Sequence, residues 1–206
     1  MARYTGPKNR IARRFGVNIF GRARNPLLHK SGGPGMHGAK KKKKSDVGLQ
    51  LEEQQKLKAI YGMISKKQLV RFYQEALRKK GVTAQLFLRR LECRLDNIVY
   101  RLRLAPTIFM AQQLVSHGHV LVDGKKVDRR SFEVKPGMSV SLLPTMHKHE
   151  PIKQSIDNTS REIPSYLELD NTNFSGKLVS EPHMDQVPFP LPVNIPLVCE
   201  YLAHKN

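Results

Sequence analysis

Arg90, Arg94, Asn97 and Arg101 recur at spacings of 4, 3 and 4 residues, which on an α-helix sets them on one stripe. A charged stripe is ordinarily a solvated helix face. Three guanidinium groups with no carboxylate among them point instead to phosphate contact, because a planar fork meets two phosphate oxygens at once. Arg103 extends the same group. A second constellation follows a valine-rich stretch: Val120-Leu121-Val122 runs into Asp123-Gly124, then Lys125-Lys126. Asp-Gly predicts a type I′ hairpin turn, whose two central residues need positive φ, and the lysines put charge at its tip. His117 and His119 flank the corner leading into that hairpin, where donation to a nucleic acid and plain packing are equally open. A third group is Arg3, Arg10, Arg13, Arg14, Lys30 and the run Lys40-Lys41-Lys42-Lys43-Lys44. These supply point charges for a phosphate backbone; a nuclear-localisation patch or a solvated tail is the plainer reading of the run.

Lys+Arg number 36 against 17 Asp+Glu in 206 residues, a net charge of +19. The excess is not uniform. Residues 1–50 hold 13 basic residues and one acid, Asp46, whereas residues 151–206 hold 4 basic and 7 acidic ones. An amino-terminal cationic field that fades along the chain attracts polyanions with a steep salt dependence. No apolar run approaches the ~20 residues of a membrane span, and no secretory signal is expected. Cys93 and Cys199 sit in apolar helical patterns and read as buried reduced thiols, with neither a disulfide framework nor a CxxC clip. The class left is a soluble, cytosolic polyanion binder.

Residues 1–50 lack sustained apolar periodicity and carry Gly6-Pro7, Asn25-Pro26 and Gly32-Gly33-Pro34-Gly35, so a basic extended segment is expected there. Helical character begins at Leu51. Ser65 is a predicted N-cap for a helix whose buried face is Leu69, Phe72, Tyr73, Ala76 and Leu77. Thr83 caps a second pattern with Leu88, Leu91, Leu95, Ile98, Val99 and Leu102 inward. Pro106-Thr107 restarts a helix with Ala111, Leu114 and Val115 inside, and Gly118 ends it. Val134 to Val140 supplies a further turn and strand. The last fifty residues are proline-rich but too apolar for a linker. They are expected to pack back on the helices of residues 51–91 and to end in a short helix after Pro196.

Arg94-Leu95-Asp96-Asn97-Ile98-Val99-Tyr100-Arg101-Leu102, Gln113-Leu114-Val115-Ser116-His117-Gly118-His119-Val120 and Val122-Asp123-Gly124-Lys125 resemble the RNA-binding module named after small-subunit ribosomal protein four. That module also occurs in pseudouridine synthases, a tyrosyl-tRNA synthetase appendage and heat-shock RNA-binding proteins. Arg3-Tyr4-Thr5-Gly6-Pro7, Gly33-Pro34-Gly35-Met36-His37-Gly38, Gln55-Lys56-Leu57-Lys58, Tyr61-Gly62, Tyr166-Leu167-Glu168-Leu169-Asp170 and Leu191-Pro192-Val193-Asn194 carry the resemblance, in collinear order, to the bacterial-type ribosomal protein family itself. The resemblance implies an α+β chain in which residues 51–93 plus 160–206 form a mainly helical domain. Inserted in it is a module, residues 94–157, of two helices on a short twisted antiparallel sheet. It implies direct binding of small-subunit ribosomal RNA at a junction in the five-prime domain, nucleation of the subunit body, and an influence on decoding accuracy with ribosomal proteins five and twelve. It also implies proximity to messenger RNA where it enters the subunit.

The chain departs from the family pattern at three places. Many relatives bind zinc through four amino-terminal cysteines; here Asn9 and Ala12 stand where the first pair would fall. His29 and His37 alone cannot close a tetrahedral site, so no metal and no cofactor is expected. Ile108 and Gln112 stand at usually basic positions, and Ile108, Phe109 and Met110 read as an apolar surface. Tyr166 replaces the usual tryptophan. Two rival classes stay in view. An RNA-modifying enzyme would need catalytic spacing that Asp157, Asp170 and Asp185 do not show, and a DNA-binding or generic chaperone role lacks a recognition-helix dimer signature.

Overall fold

The computed structural model describes residues 4–22, 24–30, 32–38 and 43–204. Its contacts divide the chain into two units, residues 1–84 with 189–206 and residues 85–188. Nine α-helices and one five-stranded antiparallel sheet are found among the described residues.

In the first unit the amino-terminal segment is not extended throughout. It forms α1 (Lys8–Phe15) and α2 (Pro26–His29), which pack on each other. Gly16 closes α1 with φ +68°, its N–H donating to the Ala12 carbonyl, and the Asn25 side chain accepts from the Leu27 N–H at the start of α2. Short helices such as these are marginal alone and depend on tertiary contact, which periodicity over a glycine-rich basic segment does not reveal. α3 (Asp46–Ile60) and α4 (Lys66–Leu77) follow, capped by Ser45 and Ser65, whose side chains accept from Gly48 and Gln68 N–H groups. Leu69, Phe72, Tyr73 and Ala76 of α4 are buried. Leu77, expected with them, is 53% exposed at the end of the helix. The last helix, α9 (Ile195–Ala203), takes its cap from Asn194 and packs against α3 and α4. Its Val198, Tyr201 and Leu202 join Leu57, Leu69 and Phe72 in the core. The Asn194 N–H also donates to Glu53 Oε2 at 2.8 Å.

In the second unit the helical pattern expected to run from Thr83 to Leu102 is broken. α5 (Thr83–Glu92) stops, and α6 (Leu95–Arg101) restarts after Arg94, which is extended at φ −69° and ψ 136°. The break pairs with residues 130–134 in strand fashion. Leu95 N–H donates to the Phe132 carbonyl, Val134 N–H to the Cys93 carbonyl, and Arg94 bridges Glu133. α7 (Ile108–Ser116) starts on the Thr107 cap, packs on α6 and ends before Gly118, at φ +71°. α8 (Glu150–Asp157) completes the helices of this unit.

The strands are β1 (Val120–Val122), β2 (Lys125–Lys126), β3 (Ser139–Leu142), β4 (Leu167–Asp170) and β5 (Ser175–Leu178), in the order β2-β1-β3-β5-β4. Asp123 and Gly124 both have positive φ, +46° and +77°, as a type I′ turn requires. Residues 160–188, expected with the helical domain, belong to this unit. β5 pairs with β3 and β4 pairs with β5, so the apolar residues of that stretch complete the module's sheet. Gly176 allows the approach, since a Cβ there would lie 2.4 Å from Leu102 Cδ2 and 2.7 Å from the Glu168 carbonyl oxygen.

Both thiols are free, Cys93 buried and Cys199 half-buried rather than fully so. Burial pushes Cys93 up to about 12 and Cys199 to about 11. Native protein at neutral pH is therefore expected to react slowly with a thiol reagent, Cys199 before Cys93, and both at once in denaturant. Gly176→Ala is expected to lower stability by about 2 kcal/mol through overpacking, read as a shift of the urea midpoint.

Candidate RNA interface

The arginine stripe turns inward. Arg94 is buried and makes a bidentate pair with Asp96, Nε to Oδ1 at 2.9 Å and Nη2 to Oδ2 at 2.7 Å. Arg101, also buried, donates to both oxygens of Glu92 at 3.3 and 3.0 Å and to the Pro188 carbonyl at 2.8 Å. Asn97 donates to the Glu92 carbonyl and to Oε2, and Arg90 pairs with Glu133. Arg94 and Arg101, expected to contact phosphate, thus make internal ion pairs. The carboxylates that occupy them lie off the stripe in sequence, and the break at Arg94 brings them onto it. Arg103 is half-buried at φ +58°, its Nε donating to the Arg161 carbonyl at 2.5 Å.

Residues outside the expected set complete this network. Gln112 Nε2 donates to Asp96 Oδ2 at 3.3 Å, Arg130 Nη1 donates to Gln112 Oε1 at 3.2 Å, and the Tyr166 hydroxyl donates to Glu92 Oε2 at 2.9 Å. Burial, reinforced by the Glu92 charge, holds the Tyr166 phenol far above its ordinary range, so it stays a donor. Burial also lowers Arg130. Gln112 is therefore a relay between an arginine and a carboxylate. Ile108, read as surface, is 2% exposed, and Phe109 and Met110 are half-buried. The sequence signal for the network was the acidic pair Glu92 and Asp96, spaced by four from Leu88 and so set on the face of Leu88, Leu91, Leu95 and Val99, where an unpaired charge is not tolerated.

With those guanidinium groups occupied, the outward cations of this unit gather elsewhere. At the corner from α7 into β1, His117 is exposed and His119 half-buried, their rings 6.1 Å apart. Lys125 and Lys126 are exposed on β2. The Lys126 side chain crosses Gly118: a Cβ on that glycine would lie 2.1 Å from Lys126 Cε and 2.8 Å from Nζ. The glycine thus leads the ammonium over the carboxyl-terminal end of α7, where the helix dipole favours a cation. Asp123, at the same tip, is engaged: its Oδ1 accepts from Ser139 N–H at 2.8 Å and from Ser139 Oγ at 3.3 Å.

In the other unit, Arg10 and Arg14 are exposed on α1, and Lys30 and Lys43 are exposed beyond it. Lys44 pairs with Glu52. Arg13 is half-buried, and its Nε and Nη2 donate to the Gly32 and Gly33 carbonyls, each at 3.0 Å, which makes it a clip on the glycine-rich turn. Arg3, Lys40, Lys41 and Lys42 lie outside the described residues. Among the described residues no group of three or more His, Cys, Asp or Glu is placed to hold a metal ion, and no helix is long and apolar enough to cross a membrane.

Residues 3–92 match the family model described as Ribosomal protein S4/S9 N-terminal domain, and residues 93–140 match the S4 domain. The chain is 62% identical over 206 residues to the small ribosomal subunit protein uS4 of Protochlamydia amoebophila, covering all of both chains. It is 61% identical over 209 residues, again at full coverage, to the uS4 proteins of Chlamydia muridarum and Chlamydia trachomatis. The chain belongs to the uS4 family. This is a family of structural constituents of the small ribosomal subunit, not of enzymes. The S4 domain match begins at Cys93, where the helix breaks, and ends at Val140 in β3, so the β4–β5 hairpin that extends the sheet lies beyond it.

Removing one member of a buried, paired charge leaves the other uncompensated, so Asp96→Ala is expected to lower stability by about 3–5 kcal/mol. Tyr166→Phe, which removes one hydrogen bond to a charged group, is expected to lower it by about 2 kcal/mol. Urea titration followed by circular dichroism measures both.

Proposed function

We propose that the exposed cations of each unit bind phosphates of folded small-subunit ribosomal RNA, and that the protein holds a multi-helix junction of the five-prime domain in its assembled shape. The observation that carries this reading is the corner of His117, His119, Lys125 and Lys126. There Asp123 is engaged by Ser139 of β3, and the hydrogen bonds and ion pairs described above pair neither lysine with a carboxylate. A-form major grooves are too deep and narrow for side chains to read, so a double-stranded junction is recognised by backbone geometry and charge. Arg10, Arg14, Lys30, Lys43 and the lysine run Lys40 to Lys44, with Arg3, add contacts from the amino-terminal segment. Arg103 retains donors for the same purpose.

On this reading the protein acts in the cytoplasm as part of the small subunit. It nucleates assembly of the subunit body and, with ribosomal proteins five and twelve, supports translational accuracy beside messenger RNA entering the subunit. Full-length identity to chlamydial uS4 proteins supports the assignment to a bacterial ribosome.

Filter binding to a small-subunit ribosomal RNA transcript across a salt series tests the reading. With about ten phosphates engaged, affinity falls by several orders of magnitude between low and moderate salt. Replacing Lys125 and Lys126 together by alanine is expected to reduce the slope of log K against log salt by about two. A flat salt response of the unaltered protein, or unchanged chemical reactivity of the RNA junction on its addition, overturns it.

A further inference from the structure

Arg13 gives both arms of its fork to the turn that runs from Gly32 to Gly38. The neck of that turn is closed by backbone against backbone. A Cβ on Gly38 would lie 2.2 Å from the Gly33 carbonyl oxygen, and one on Gly33 would lie 2.7 Å from the Gly38 oxygen. Gly35 sits at φ +87°, and Gly38 N–H donates to the Gly35 carbonyl at 3.2 Å. Three glycines and a guanidinium clip therefore fix one small turn in one shape. At its tip the turn presents Met36, 93% exposed, beside exposed His37.

A single apolar side chain in water is unremarkable on a surface. A single apolar side chain held out by a pre-shaped turn has its ordering cost met before any partner arrives. The chemistry around it selects the partner. No carboxylate precedes Asp46 in the sequence, and exposed Arg10, Arg14, Lys30 and Lys43 belong to the same unit. The partner is anionic overall yet offers an apolar face to the tip, and an RNA has both. Its phosphates suit the cations, and the face of an unstacked base suits an unbranched, polarisable thioether.

We propose that the Gly33–Gly38 turn is a preformed wedge that seats Met36 against the face of an unstacked base of the bound RNA, with Arg13 as its positioning residue. This deepens the RNA-binding reading above and rests on it.

The two kinds of contact separate by salt. A phosphate contact contributes to the slope of log K against log salt, and an apolar contact contributes to affinity at every salt alike. Full-length protein is titrated with the small-subunit ribosomal RNA transcript. Met36→Ala is expected to weaken binding about tenfold, the loss of one buried methionine side chain, with the slope unchanged, while Met36→Leu retains affinity. Lys30→Ala, the control, lowers the slope by about one. Gly38→Ala opens the neck and reproduces the Met36→Ala loss, and the double variant loses no more than either single one. Ribose reactivity probing adds a second readout: one nucleotide becomes reactive in the unaltered complex and not with Met36→Ala. Unchanged affinity of Met36→Ala, or a loss that vanishes at high salt, overturns the wedge. Absence of salt-dependent binding by the unaltered protein overturns the RNA reading itself and is distinguished by that control.

Discussion

Glu92 and Asp96 are two carboxylates buried among leucines, isoleucine and valine, and much of the second unit follows from having to satisfy them. Water cannot reach them, so each needs a cation and further donors in place. Asp96 takes both arms of Arg94, the backbone N–H of Asn97 and the amide of Gln112. Glu92 takes Arg101, the amide of Asn97 and the hydroxyl of Tyr166. These donors come from the break at Arg94, from α6 and α7, and from the residue before β4. Helix break, helix pair and the far side of the sheet are thereby tied to one polar centre, and a shift of any element would strand a charge. Such networks are weak contributors to net stability but strict about geometry.

That demand divides the basic residues by chemistry. The arginines nearest the core are consumed as forks: Arg94 and Arg101 on carboxylates, and Arg161 on the carbonyls of Tyr100 and Ala105, with its guanidinium 4.5 Å over the Tyr100 ring. Lys125 and Lys126 remain outside at the hairpin, as do Lys30 and Lys43, with Arg10 and Arg14, in the other unit. A weakly hydrated planar guanidinium tolerates burial with several oriented acceptors, whereas a strongly hydrated ammonium does not. A net charge of +19 therefore overstates the field offered to a partner.

Glycine sets the close approaches that give the exposed cations their places. Gly118 admits the Lys126 stem over the end of α7, Gly176 lets β5 lie against Leu102, and Gly33 with Gly38 closes the turn that Arg13 clips. In each case the side chain that a Cβ would displace, or the backbone it would strike, belongs to a segment distant in sequence or to the far side of a turn.

Local rules carried much of the fold. Ser65 and Thr107 cap helices, Asp123-Gly124 turns the hairpin, Gly118 ends α7, and the apolar faces of α4 and α6 are buried apart from Leu77. These features depend on a residue and its neighbours within a turn or two, which is what a linear pattern records. The break at Arg94, the inward turn of Arg94 and Arg101, the helices of the amino-terminal segment and the entry of residues 160–188 into the sheet were decided by tertiary structure. Each rests on a partner far along the chain: Glu133 and Phe132 for the break, Tyr166 for Glu92, and β3 for β5. Periodicity names a face, but whether that face meets solvent or a distant carboxylate is set by the segment the fold brings against it.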